Sequence, residues 1–217
     1  MATFSMLRWV GVVTAAESAG FLIPVAGFAI SGIAGFPPGW TWLFMVACGG
    51  AGEGALLGFG QAMALRGTLW QVPTSKWVPA TAVGAMLAWS LGGWPPSSLI
   101  DLGVDIDFGN PLTWMVTGGA GAVVLLVSIP SAQYVVLRGG RLPGAWQWIP
   151  VNVAAWAAGL VFTFLPGPFV DESTPGAVMA GGAFVLAGIC MAATVAVVTG
   201  LWWRSRPPVL AEPALQT

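Results

Sequence analysis

Two carboxylic acids stand inside otherwise apolar sequence. Glu17 follows the run from Val10 to Ala16, and Glu53 sits within Gly49-Gly50-Ala51-Gly52-Glu53-Gly54. If these stretches are membrane helices, an ionisable group there is costly and marks an ion or proton pathway by default. Counted along a helix from the nearest arginines, Arg8 and Arg66, the two acids lie roughly 13 and 20 Å deep, so one helical hairpin could bring them together. Two carboxylates meeting in low dielectric cannot both ionise cheaply and would share a proton, which is the physics of a proton or cation site. The plainer reading is that each acid hydrogen-bonds a neighbouring helix and only stabilises packing. Glu53 is the stronger candidate. Gly50-x-x-x-Gly54-x-x-x-Gly58 makes a smooth helix face for close packing and turns Glu53 toward protein rather than lipid.

Polar residues collect nearer the basic ends, and Gln61, Gln133 and Asn152 are the candidates to assist such a site. Gln61 and Gln133 each stand five residues before an arginine, and interhelical hydrogen bonding is their competing role. Trp89 and Trp156 fall deep in their apolar runs, where they are candidates to contact a lipid, quinone or pigment. Asp101, Asp105 and Asp107 alternate with apolar residues in the longest loop, which suits a docking surface better than a calcium loop, whose spacing is missing. With no histidine, no metal-ligand cluster, no phosphate-cradling loop and no nucleophile-base pair, nothing points to an enzyme or calls for a cofactor. Cys48 and Cys190 read as small buried apolar residues.

The elements that must position these residues follow from composition. Of 217 residues only 7% are charged and 57% are hydrophobic, with a mean hydropathy of +0.83, against about 25% charged residues in a soluble domain. The solvent is therefore a lipid bilayer, and nucleic acid is no partner. Apolar runs long enough to cross ~30 Å of hydrocarbon fall at about 8–35, 40–66, 76–94, 112–138, 146–165 and 177–203. Pro37-Pro38-Gly39, Pro95-Pro96 and Pro166-Gly167-Pro168 end the odd runs, while Asn110-Pro111 and Thr174-Pro175 offer a cap and a first-turn proline to later ones. All seven basic residues, from Arg8 through Arg66, Lys76, Arg138 and Arg141 to Arg204 and Arg206, lie at the ends of the runs or outside them. The positive-inside rule places them, and both termini, in the cytoplasm, with residues 205–217 a cytoplasmic tail. Trp9, Trp70, Trp77, Trp146, Trp148, Trp202 and Trp203 then read as an interfacial belt on that side, and Trp40, Trp42, Trp94 and Trp114 as an outer one.

Internal similarity refines the picture. Arg8-Trp9-Val10, Lys76-Trp77-Val78 and Gln147-Trp148-Ile149 open the odd runs about seventy residues apart. Gly49-Gly50-Ala51-Gly52 matches Gly118-Gly119-Ala120-Gly121, with a weaker Gly181-Gly182-Ala183. The expectation is a single all-α domain over 1–217 of six transmembrane helices, arranged as three parallel hairpins at about 8–67, 75–139 and 146–204. Such repeats tend to surround an axis along the membrane normal. The unit that reads Gly-x-x-Gln-x-x-x-Leu-Arg at Gly58–Arg66, with Gln133 through Leu137-Arg138 repeating its end, leads into a short basic turn and Trp-Val/Ile-Pro. It resembles the repeated hairpins of a group of bacterial multi-pass membrane proteins. The resemblance covers roughly 49–90 and 118–160 and implies the hairpin repeat and a plasma (inner) membrane location, with no activity to carry over. Two functions remain in view: a small transporter or channel-like protein with an intramembrane carboxylate site, or an accessory subunit packing through glycine faces against a membrane-protein partner or as a homo-oligomer.

Overall fold

The computed structural model describes residues 3–93, 110–166 and 177–206, and among these the chain is all-helical. Helix α1 (Met6–Ile33) begins where the Ser5 side chain accepts a hydrogen bond from the Arg8 N–H. A second rod runs as α2 (Pro38–Met45), a π-helical segment (Val46–Glu53) and α3 (Gly54–Leu65). Helix α4 (Thr74–Leu87) also passes into a π segment (Ala88–Gly93). Helix α5 (Pro111–Gly139) opens as its sequence suggests, with Asn110 Oδ1 accepting from Leu112 N at 2.9 Å and Pro111 in the first turn. A 3-10 turn (Ala145–Gln147) leads into α6 (Trp148–Phe164), and α7 (Ala177–Arg204) completes the chain.

Among the described residues five helices are long and apolar enough to cross a membrane: Met6–Ile33, Gly39–Leu65, Pro111–Gly139, Ala145–Phe164 and Gly182–Arg204. The expected third span falls on α4 and its π extension, whose Thr74, Ser75, Lys76, Thr81 and Ser90 make it more polar than the other five. The surface is the reverse of a soluble protein's: Leu7, Ile33, Met115, Val135 and Phe164 are all more than two-thirds exposed. A contiguous apolar exterior of this kind is matched by lipid tails, and it identifies the bilayer as the chain's surroundings.

The helices close a ring. α1 packs on α3 and α7, α3 on α4, α4 on α5, α5 on α6, and α6 on α7. Close approach within it uses the glycine face read from the sequence. A Cβ on Gly54 would stand 2.6 Å from Ala85 Cβ, one on Gly50 2.4 Å from Met86 Cα, and one on Gly58 2.8 Å from Thr81 Cβ. Only hydrogen fits at these points, so the second rod and α4 run almost backbone to backbone. At the basic end Gly67 and Gly144 adopt positive φ of 80° and 68° in the two turns that carry the basic residues.

The tryptophans at this end are not a lipid-facing belt. Trp9, Trp77, Trp148 and Trp203 have no exposed surface, Trp70 and Trp202 are also buried, and only Trp146 is largely exposed. Trp148 stands 6.0 Å from Trp77 and 5.5 Å from Trp203 between ring centroids, and Trp203 is 6.0 Å from Trp9, so the rings plug the inside of the bundle. For three of them the reason is chemical: an indole N–H satisfied by water at an interface is equally satisfied by a buried oxygen, and Trp9, Trp77 and Trp148 find such acceptors within the ring, whereas among the described residues Trp70, Trp202 and Trp203 are buried by ring packing alone. Of the outer set, Trp40 is exposed as expected, while Trp94 and the Trp114 side chain lie outside the described residues. So do the loop with Asp101, Asp105 and Asp107, the Thr174-Pro175 start and the tail from 207. Both cysteines are free thiols, half-buried rather than buried as their sequence context suggests.

Candidate functional site

The site is built in layers along the ring. Nearest the basic end is a hydrogen-bonded collar. Trp77 Nε1 donates to Gln61 Oε1 at 3.0 Å, Trp148 Nε1 to Gln133 Oε1 at 2.8 Å, and Trp9 Nε1 to Thr199 Oγ1 at 3.2 Å and Ala196 O at 2.9 Å. Each tryptophan opens a helix, and each acceptor side chain lies five residues before an arginine, at Arg66, Arg138 and Arg204. Gln133 Nε2 ties two of these pairs together by donating to Gln61 Oε1 at 2.7 Å and to Thr81 Oγ1 at 2.9 Å. Asn152 Nδ2 donates to Trp148 O at 2.9 Å. Gln61, Gln133 and Asn152 are thus fully engaged as interhelical and intrahelical fasteners, and they are not among the residues lining the cavity above them. Thr199 is the member of this collar that sequence reading missed. Its signal was its spacing from Arg204, hidden because a threonine replaces the glutamine.

Above the collar lie the acids. Glu17 is buried on the α1 stripe that also carries Trp9 and Val13, both without exposed surface. Among the described residues neither of its carboxyl oxygens has a hydrogen-bond partner. Glu53 is the last residue of the first π segment, buried, and its backbone and Cγ lie against Gly20, where a Cβ would come within 3.3 Å. Gly20 is one turn beyond Glu17, so the two acids flank the same contact between α1 and the second rod, and no hydrogen bond joins them. Trp89, on the second π segment, donates its indole N–H to Glu53 Oε2 at 3.2 Å. Inserting the extra residue of a π turn re-aims side chains and recurs at functional sites. Here both partners of the Glu53–Trp89 bond lie on π segments, and nothing in the local sequence besides the glycines forewarned of either.

Beyond the acids the ring encloses a partly open cavity of about 310 Å³. Glu53 is its one ionisable lining residue among the described residues, and both deep tryptophans of the sequence reading, Trp89 and Trp156, form part of its wall. The lining keeps a common register. Twelve residues after Trp9, Trp77 and Trp148 come Phe21, Trp89 and Leu160, and all three line the cavity. Eight residues before Gln61, Gln133 and Thr199 come Glu53, Leu125 and Met191, which line it as well. Eight residues after the opening tryptophans come Glu17, Ala85 and Trp156, of which the last two line the cavity and the first is buried beside Glu53. No protein-family model, curated protein or solved structure matches the chain. The site is accordingly argued from geometry alone.

The chemistry of that geometry is limited to the groups on its wall. The wall has one carboxyl group, two indole rings, the Thr163 hydroxyl and otherwise apolar side chains. Among the described residues no three histidine, cysteine, aspartate or glutamate side chains cluster as metal ligands.

Proposed function

We propose that the chain is a six-span protein of the plasma membrane, three parallel hairpins around one axis with both termini and the arginines cytoplasmic, and that it carries protons or monovalent cations through the Glu53–Glu17 site. The observation that carries this reading is the position of Glu53: it is the charged wall of a cavity inside the ring, with an unpartnered second carboxyl group at its back. An unpaired buried carboxyl group is expensive, and Glu17 shares that state with the indole N–H groups of Trp70, Trp202 and Trp203, so what sets the acids apart is Glu53 on the cavity wall. The shared register of the cavity wall and of the collar supports the threefold hairpin arrangement. The side of the membrane follows from the charge bias and the even span count.

On this reading the collar is the closed cytoplasmic end of the ring. The test is proton flux into liposomes containing the purified protein, driven by a potassium diffusion potential and reported by an enclosed pH dye. Glu53→Gln keeps the acceptor for Trp89 and removes the titrating group, so flux should fall to that of protein-free vesicles. Flux in that variant equal to wild type removes the proposal.

A second reading has its own support. Gly118, Gly119 and Ala120 are exposed, and a Cβ on either glycine would meet nothing within 4 Å, unlike the matching Gly49 and Gly50, which are packed inside. A small-residue face left open on α5 suits contact with another membrane helix, as in an accessory subunit or a homo-oligomer. Native mass spectrometry after mild detergent extraction decides: a lone, homogeneous monomer counts against it.

A further inference from the structure

Resting on the carboxylate site just described, we propose that the cavity takes a monovalent organic cation, an ammonium group on a compact apolar body, and that its binding releases one proton from the Glu53–Glu17 pair. The wall chemistry selects this class. An inorganic cation stripped of water needs about six oxygen ligands, whereas the side-chain oxygens lining the cavity belong only to Glu53 and Thr163, and the Thr163 hydroxyl already faces Met191 Sδ at 3.3 Å. An anion would meet the carboxylate, and a neutral ligand would leave its charge uncompensated. An ammonium ion, by contrast, finds one negative charge and the π faces of Trp89 and Trp156, and its apolar remainder finds Leu125, Leu160 and Met191. A volume of about 310 Å³ suits a molecule of one ring with a small head.

The exchange balances. With the cavity empty each of the two acids holds a proton; the arriving cation replaces the proton of Glu53 as its counter-charge, Glu17 keeps its own, and the released proton leaves to solvent. No other charge confuses this. The elements packed on the Glu53 segment are α1, α2, α3, α4 and the second π segment, and their remaining ionisable groups lie elsewhere. The Arg8 guanidinium is bound to Met63 O and Arg66 O at the basic end, Lys76 stands in the first turn of α4, and Cys48 faces Gly27 on the far side of the glycine run.

The probe is benzyltrimethylammonium, a quaternary ion that carries no proton of its own, titrated calorimetrically into the protein in lipid nanodiscs. Running the titration in two buffers of different ionisation enthalpy counts the protons released. Saturable binding with about one proton released per cation, weakening by about tenfold per pH unit where the pair is fully protonated, is the expected result. Glu53→Gln should reduce affinity at least tenfold and abolish proton release, and Trp156→Ala should reduce affinity by about tenfold with proton release retained. Equal competition by the uncharged carbon isostere neopentylbenzene overturns the cation assignment, as does binding unchanged in Glu53→Gln. Loss of all binding in a variant that elutes aggregated is resolved by Glu53→Asp, which keeps the charge and should bind. If no binding occurs while proton flux still depends on Glu53, the ligand class falls and the carboxylate site stands; if flux is also independent of Glu53, both fall.

Discussion

Replacing Gln133 by leucine is the sharpest test of the collar. The side chain has no exposed surface and takes part in three interhelical hydrogen bonds: it accepts from Trp148 Nε1 at 2.8 Å and donates to Gln61 Oε1 at 2.7 Å and Thr81 Oγ1 at 2.9 Å. Interhelical hydrogen bonds in membranes contribute about 0.6 kcal/mol each on average, with a maximum near 1.7. Three of them give about 2 kcal/mol, and stranding the Trp148 N–H in a dry interior raises the loss toward about 4 kcal/mol. Thr199→Val is the internal control, because Trp9 Nε1 keeps Ala196 O at 2.9 Å and the loss should stay near 0.5 kcal/mol. The assay is reversible unfolding in mixed micelles by rising dodecyl sulfate, followed by circular dichroism. A double-mutant cycle with Trp148→Phe should show strong non-additivity, since either change alone breaks the same bond. Should Gln133→Leu cost no more than Thr199→Val, or the cycle prove additive, the collar does not hold the ring.

Three further expectations follow from the same packing. Gly54→Ala must push its new Cβ into Ala85 Cβ at 2.6 Å and Ala82 Cα at 2.9 Å, so unfolding should be easier by about 1–3 kcal/mol, whereas Gly11→Ala, with nothing within 4 Å, should not destabilise. Arg8 donates to Met63 O at 2.6 Å and Arg66 O at 3.1 Å, clasping the end of α3; Arg8→Ala should cost under about 1 kcal/mol yet speed amide exchange at residues 66–68. Glu17→Leu removes two unpartnered buried oxygens, so the micelle unfolding midpoint should rise by about 1–3 kcal/mol while proton flux falls, and a lowered midpoint would show that Glu17 is a packing residue after all.

Much of the architecture is legible from the chain itself because hydropathy and punctuation act locally. The apolar runs, the Asn110 cap with Pro111, and the glycine face at 50, 54 and 58 each depend on neighbouring residues alone. The placing of Glu17 and Glu53 at one helix contact was also within reach, since depth along two adjacent antiparallel helices is a matter of counting. What counting cannot supply is rotation about a helix. Tryptophan at the right depth is equally consistent with a ring turned to lipid or turned inward, and four of the seven at the basic end turn fully inward. The same blindness hid the separation of Gln61, Gln133 and Asn152 from the cavity: all three sit at a plausible depth, but their side chains close the collar instead. The π segments were beyond reach because an extra residue in a helical turn is stabilised by tertiary contact, here Trp89 packed onto Gly49, rather than by local propensity.

The placement of the acids bears on why they are there at all. Closing this ring is a task met by the tryptophan collar and by glycine contacts, and residues at one shared spacing from an arginine contribute to it: Gln61, Gln133 and Thr199 all accept an indole N–H. The acids do not follow that pattern. Where the first segment has Glu17 and Glu53, the other two have Ala85 and Leu125, and Trp156 and Met191. A ring that closes with alanine, leucine, tryptophan and methionine at four of these six positions does not need carboxyl groups at the remaining two. Because α1 packs on the second rod, Glu17 lies behind the wall that Glu53 and Trp89 make polar, while Leu125, Leu160 and Met191 line the rest of the cavity. Charge confined to one wall of an otherwise equivalent enclosure orients whatever enters it, and orientation is a requirement of binding, not of packing.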